Sequence, residues 1–153
     1  MIKDIKCLSF WGMTRLANDN IDNPEFFKEN FFISVIDMGL NDILEESENI
    51  INLHFADIPY PIKGHIHFDE THAMKVKTLL NRIKNTPGES GRLYINCHAG
   101  VSRSGALGTY AREYLDMDYQ EFKNMNPHIV PNRHVLKVLG GDFFLSEEEG
   151  LDA

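Results

Sequence analysis

The chain predicts an α/β fold, a central and mainly parallel twisted sheet flanked by helices. Three observations carry that expectation. Phe31-Phe32-Ile33-Ser34-Val35-Ile36 is a nearly continuous apolar run, the pattern of a strand buried on both faces. Two further runs of strand character, Asn49–Phe55 and Arg92–Asn96, follow it. Between them, Phe68 to Lys84 places Phe68, His72, Val76, Leu79, Leu80 and Ile83 near one helical face. Strands alternating with helices over this length favour parallel pairing with helices on both faces.

The elements read in order as follows. Ile5–Phe10 is a short strand, and the Asn- and Asp-rich stretch behind it to Asn30 reads as loop, with one helical turn after Pro24. Asp37 and Gly39 end the strand 31–36. Leu40–Glu48 is expected to form a short helix. The strand from Asn49 ends at Asp57-Ile58-Pro59-Tyr60-Pro61, where two prolines forbid regular pairing and mark a loop. Asp69 and Glu70 suit the positive end of the helix that follows. Pro87-Gly88-Glu89-Ser90-Gly91 is a turn, and Arg92–Asn96 then runs straight into Cys97. Ser104–Leu115 has helical spacing, Tyr119–Asn124 is another short helix, and Asn132 caps a helix over Arg133–Leu139 that ends at Gly140-Gly141.

At 153 residues one domain is expected. Residues 1–30 have no role readable from sequence, and the acidic tail over 146–153 is expected to fray. No apolar run approaches the roughly 20 residues that cross a bilayer, and the N-terminus lacks the apolar core of a signal peptide. A cytoplasmic protein that binds no membrane is expected. Cys7 and Cys97 are then free thiols. Fifteen Lys and Arg against 23 Asp and Glu give a net charge of −8. That balance opposes nucleic-acid binding, which needs basic side chains to neutralise phosphates.

The chemistry is concentrated in Asn96-Cys97-His98-Ala99-Gly100-Val101-Ser102-Arg103-Ser104-Gly105. A cysteine, five residues, an arginine and a hydroxyl make a loop able to wrap a phosphate. A free thiol with a pKa near 8.5 is only about 3% thiolate at neutral pH, and the thiolate is the nucleophile. Between a strand and a helix start, the amides of His98, Ala99, Gly100, Val101, Ser102 and Arg103 can point inward as a nest, aided by the helix dipole. Both effects favour a thiolate and then the equatorial oxygens of a phosphoryl group. Arg103 can close over the loop and bind two of those oxygens through its planar fork, a geometry lysine lacks. Ser104 can donate its hydroxyl to the sulfur as the phosphoryl group leaves.

The leaving oxygen also needs a proton, and a carboxylic acid on a neighbouring loop can give it. Asp57 is the first candidate, because it follows a strand in a Pro-rich loop. Asp37, also at a strand end, is second. Asp69 is third, since its helix position already accounts for it. Strand ends are where ligands gather in open α/β sheets.

The run from Cys97 to Gly105 resembles the active-site loop of cysteine-dependent protein tyrosine phosphatases, especially the compact dual-specificity type. Phe55-Ala56-Asp57-Ile58 is similar to that family's general-acid segment, and Pro131-Asn132 to a Pro-Asn segment that members carry after the signature. The resemblance covers Phe31 to Leu139. It implies a tyrosine-phosphatase-like sheet fold and a two-step hydrolysis without metal or cofactor. Cys97 is then the nucleophile, Arg103 the phosphate binder, Ser104 the thiolate partner, and Asp57 the acid and then the base. One position departs: the family usually has histidine before the nucleophile, where this chain has Asn96. That implies weaker support for the thiolate and a slower enzyme.

Other readings compete. His65-Ile66-His67-Phe68-Asp69, with His72, resembles the start of the histidine run of metallo-β-lactamase-fold enzymes, but Glu70 replaces its last histidine. A non-catalytic phosphate reader on the same fold is a second rival. A rhodanese-type sulfur transferase or arsenate reductase also uses a cysteine loop, though the Ala-Gly-x-Ser-Arg-Ser run and the upstream acid favour a phosphatase. The expected substrate is a phosphoprotein or phosphopeptide carrying phosphotyrosine, with phosphoserine and phosphothreonine next, and the expected protein is a monomer. A phosphoinositide or RNA 5′-phosphate is the alternative substrate, disfavoured by the acidic balance.

Overall fold

The computed structural model describes residues 1–88 and 90–140. The expected tail over 146–153 and the turn residue Glu89 lie outside the described residues. The elements are β1 (Asp4–Leu8), α1 (Phe10–Asp19), α2 (Pro24–Glu29), β2 (Phe31–Ile36), β3 (Ile50–His54), α3 (Glu70–Lys84), β4 (Arg92–Asn96), α4 (Arg103–Tyr114), α5 (Tyr119–Met125) and α6 (Arg133–Gly140). Strand order is β1-β4-β2-β3 with parallel pairing throughout, which is the α/β class expected.

Alternation along the strands fills two cores. Ile5, Cys7, Phe31, Ile33, Val35, Leu53, Leu93 and Ile95 pack with residues of α3, α4, α5 and α6. The intervening positions Phe32, Ile50 and Tyr94 join Met13, Leu16 and Ala17 of α1 and Phe26 and Phe27 of α2 on the other side. Phe32 and Tyr94 stack with centroids 5.5 Å apart. A sheet covered on both faces explains why β2 carries apolar residues at almost every position. Gly108 lets α4 approach β1 closely, since a Cβ there would lie 2.8 Å from Cys7 Sγ.

Three expectations need correction. The stretch behind the first strand is no loop: β1 ends at Leu8, and Ser9 caps α1 by accepting a hydrogen bond from the Gly12 amide at 3.0 Å. Residues 1–30 therefore supply the strand beside β4 and the helices of the second core, so their role is structural support for the Cys97 strand. Leu40–Glu48 is not helical. Glu45, Glu46 and Glu48 would crowd the negative end of such a helix. Side chains hold the segment instead: Asn52 Nδ2 donates to Leu44 O at 2.9 Å, and Arg82 pairs with Glu48 at 3.3 Å. The helix expected from Phe68 begins at Glu70, because Asp69 is its N-cap and accepts from the amides of Thr71 and His72. Phe68 is buried just ahead of it, 5.0 Å from Phe55. No helix among the described residues is long and apolar enough to cross a membrane.

Candidate active site

Strand β4 delivers Cys97 to the carboxyl edge of the sheet, and α4 starts six residues later at Arg103. The intervening loop is pinned from outside by its carbonyls. His98 O accepts from the Phe10 amide at 2.9 Å, Val101 O from Val130 at 3.0 Å, and Ser102 O from Asn132 at 3.0 Å. Among the described residues no protein acceptor meets the amides of His98, Ala99, Gly100, Val101 or Ser102. With carbonyls outward and amides unclaimed, the loop is built as an anion nest at a helix N-terminus. Gly100 makes it possible: its φ is +76°, and a Cβ there would lie 2.6 Å from the backbone of Leu8 and Ser9.

Cys97 is 2% exposed, with Sγ 3.3 Å from Ser104 Oγ. A thiol donates to that oxygen, and a thiolate instead accepts a hydrogen bond from the hydroxyl. Arg103 is 4% exposed. Its Nη1 pairs with Asp37 Oδ1 at 2.7 Å and donates to Phe55 O at 2.9 Å. Its Nε is buried without a partner among the described residues. The guanidinium is thus held from one side with a donor in reserve. Asp37 also lies 3.6 Å from His98 Nδ1. Asp37 therefore anchors Arg103.

Asp57 sits three residues past β3, on a loop closed at its base by the Ala56 amide bonding Ile66 O at 2.8 Å. One carboxylate oxygen, Oδ1, accepts from Ser102 Oγ and from Asn132 Nδ2, each at 2.8 Å. Ser102 precedes α4 but makes no side-chain cap, since its hydroxyl is spent on Asp57. Asp37, Asp57, Cys97, His98, Ala99, Val101, Ser102 and Arg103 line one cleft of about 420 Å³. The residues expected of the loop and Asp57 converge on it or, like Gly100 and Ser104, support it, whereas Asp69, the third candidate acid, is not among its lining residues and caps α3. Asn132 was expected only as a helix cap. It does cap α6, accepting from the Val135 amide at 3.0 Å, but its reach to Asp57 was not legible. The one signal for it was the Pro-Asn segment itself.

The histidine run is used for structure. His72 Nδ1 accepts from the Asp69 amide at 3.0 Å and completes the capping box of α3. His67 lies beside His134 and Phe68 O. Among the described residues no three His, Cys, Asp or Glu side chains group so as to hold a metal ion. Cys7 and Cys97 are both free and buried. Burial foremost, with the nearby Cys97 adding to it, pushes the Cys7 thiol up to about 12.

Asn96 is fully buried, and its amide makes only long contacts, 3.5 Å to Val35 O and 3.4 Å to Cys97 O. Among the described residues its Oδ1 has no partner, nor has the hydroxyl of its register neighbour Ser34. This is a loosely satisfied polar spot directly behind Cys97. A histidine there would offer a longer reach to the same carbonyls. Asn96→His is expected to speed alkylation of Cys97 by iodoacetate at pH 6 by about 3- to 10-fold, with mass spectrometry assigning the label. An unchanged rate in a folded variant shows that this position does not tune the thiol.

Comparison with known proteins finds no family model and no curated protein that matches this chain.

Proposed function

We propose that the protein hydrolyses phosphate monoesters through a cysteinyl-phosphate intermediate, as a phosphatase of the cysteine-dependent tyrosine/dual-specificity kind. The observation that carries this reading is the shared cleft. A buried thiol at a strand end, an arginine with an unclaimed Nε, a nest of free amides and a carboxyl group line one space of about 420 Å³. Each matches one requirement of phosphoryl transfer: a nucleophile, charge neutralisation on the equatorial oxygens, and a proton for the leaving group.

In the first step the Cys97 thiolate attacks phosphorus and the P–O bond to the leaving group breaks. Asp57 transfers its proton to the departing oxygen and becomes a carboxylate. Loop amides and Arg103 hold the three remaining oxygens. In the second step water attacks phosphorus, Asp57 takes up the water proton, and the P–S bond breaks. The Ser104 hydroxyl hydrogen-bonds to the released thiolate, and inorganic phosphate departs. The cycle is closed with no electron transferred and no external group required.

A phosphopeptide or phosphoprotein is the substrate this reading favours, with phosphotyrosine first and phosphoserine and phosphothreonine next. Among the described residues Arg103 is the sole Lys or Arg lining the cleft, and the chain carries a net charge of −8. A polyanion such as a phosphoinositide headgroup or an RNA 5′-triphosphate would meet more repulsion than a single phosphate on a peptide. The reading includes a monomer working in the cytoplasm. The test is a panel of phosphopeptides, phosphoinositides and a triphosphorylated RNA, assayed with wild type and Cys97→Ser. Cys97-dependent release of phosphate from the peptides is expected. Release from the lipid or RNA alone would replace the substrate class, and no Cys97-dependent release from any of them would overturn the activity.

Asp57→Ala is expected to lower kcat about 10²–10⁴-fold on an alkyl phosphate such as phosphoserine peptide, and far less on an activated aryl phosphate. The difference arises because a good leaving group departs without a proton. An equal loss on both substrates would mean that Asp57 shapes the cleft without acting as the acid.

A further inference from the structure

The loop that carries Asp57 spans from the end of β3 to the start of α3 with no regular element inside it. Such a loop samples many conformations unless something ties it down. The tie is Asn132. Its Nδ2 donates one hydrogen to Asp57 Oδ1 at 2.8 Å and lies 3.0 Å from Ile58 O, which takes the other. Its Oδ1 accepts from the Val135 amide at 3.0 Å, and its own amide donates to Ser102 O at 3.0 Å. Two acceptors face the nitrogen and a donor faces the oxygen, so the orientation of this amide is fixed by its partners. The side chain is largely buried, and one residue thereby joins the acid loop, the cysteine loop and the start of α6.

Resting on the phosphatase reading, we propose that Asn132 is the positioning residue of the general acid, holding Asp57 through Oδ1 so that Oδ2 is the oxygen that carries and delivers the proton. Ser102 reinforces the arrangement with a second donor on Oδ1. With two donors on Oδ1, a proton there would displace one of them, whereas a proton on Oδ2 displaces nothing. The clamp thus selects the proton's site as well as the loop's position. Among the described residues the hydrogen bonds of Asn132 go to Asp57, Ile58, Ser102, Val135 and Leu136.

The test separates this role from helix capping. Asn132→Ser keeps a good N-cap for α6 but is too short to reach Asp57. Expected is a fall in kcat of about 10- to 100-fold on a phosphoserine peptide, with KM nearly unchanged, a much smaller fall on an activated aryl phosphate, and an unaltered melting temperature. In an Asp57→Asn background the same change is expected to cost almost nothing further, since the two residues act as one unit. An equal loss on both leaving groups, or an undiminished loss in the Asp57→Asn background, overturns the proposal. A second measurement needs neither variant turnover nor activity. In wild type the side-chain amide resonances of Asn132 are expected to follow the ionisation of Asp57, and to lose that response in Asp57→Asn. Resonances that ignore Asp57 overturn the clamp. Should they respond while the protein shows no Cys97-dependent hydrolysis, the phosphatase reading falls and the contact to Asp57 stands.

Discussion

Cys97→Ser is expected to reduce hydrolysis of any monoester the protein accepts by about 10⁴-fold or more, while leaving vanadate and phosphate binding measurable. A serine hydroxyl stays protonated at neutral pH, and neither loop amides nor a helix end make it a nucleophile of comparable strength. The exchange is nearly isosteric at a position that is 2% exposed, and the Ser104 hydroxyl 3.3 Å away can partner the new one. Arg103, the nest and Asp57 are untouched, so the anion site remains. Cys7 cannot stand in, because its thiol is buried and pushed up to about 12. The measurement is turnover on an activated aryl phosphate beside vanadate affinity by calorimetry. Turnover near wild type would sink the covalent mechanism. Loss of both turnover and binding would instead indicate a collapsed loop, which the melting temperature would reveal.

How much of this was readable from residues alone depended on how local the cause was. The strand at 31–36 and the helix ending at Lys84 announce themselves because burial on two faces, or on one stripe, repeats along the chain. The loop from Cys97 was legible for a local reason of another kind: its cysteine, glycine and arginine are set by spacing within ten residues. Helix α1 was missed although Met13, Leu16 and Ala17 have helical spacing, since Gly12 and the Asn-rich end lower its propensity. Packing of Met13 against Phe32 and Tyr94 overrides that deficit, and packing is a property of the fold. The segment Leu40–Glu48 failed in the other direction. Its composition allows a helix, but the fixed ends of β2 and β3 impose side-chain contacts that use its backbone differently.

The site divides along the same line. That Asp57 belongs with Cys97 could be guessed from two strand ends. That Asp37 grips Arg103, and that Asn132 grips Asp57, could not. Both pairings span scores of residues and depend on the strand order β1-β4-β2-β3, which sets β2 beside β4. Asp37 at the end of β2 is thereby brought next to the start of α4. A carboxylate at a strand end looks the same in sequence whether it donates protons or holds an arginine, and only its neighbour decides.

That neighbour makes Arg103→Lys the sharper test of the phosphate cradle, with kcat/KM expected to fall about 10³-fold or more, equivalent to about 4 kcal/mol of transition-state stabilisation. Asp37 Oδ1 and Phe55 O both engage Nη1, and Nε is buried with no partner among the described residues. The guanidinium can therefore keep its anchor and still present further donors to an incoming phosphate. A lysine has one compact head at the end of its stem. If that head meets Asp37, phosphate loses its cation; if it turns to phosphate, Asp37 is left beside the substrate's negative charge. Either choice removes the two-point grip whose value grows as charge spreads over the equatorial oxygens. Charge is conserved in the swap, so a loss cannot be assigned to field alone, and vanadate affinity should fall together with kcat/KM. Activity within tenfold of wild type would show that Arg103 serves as a structural ion pair and that the loop amides carry the phosphate unaided.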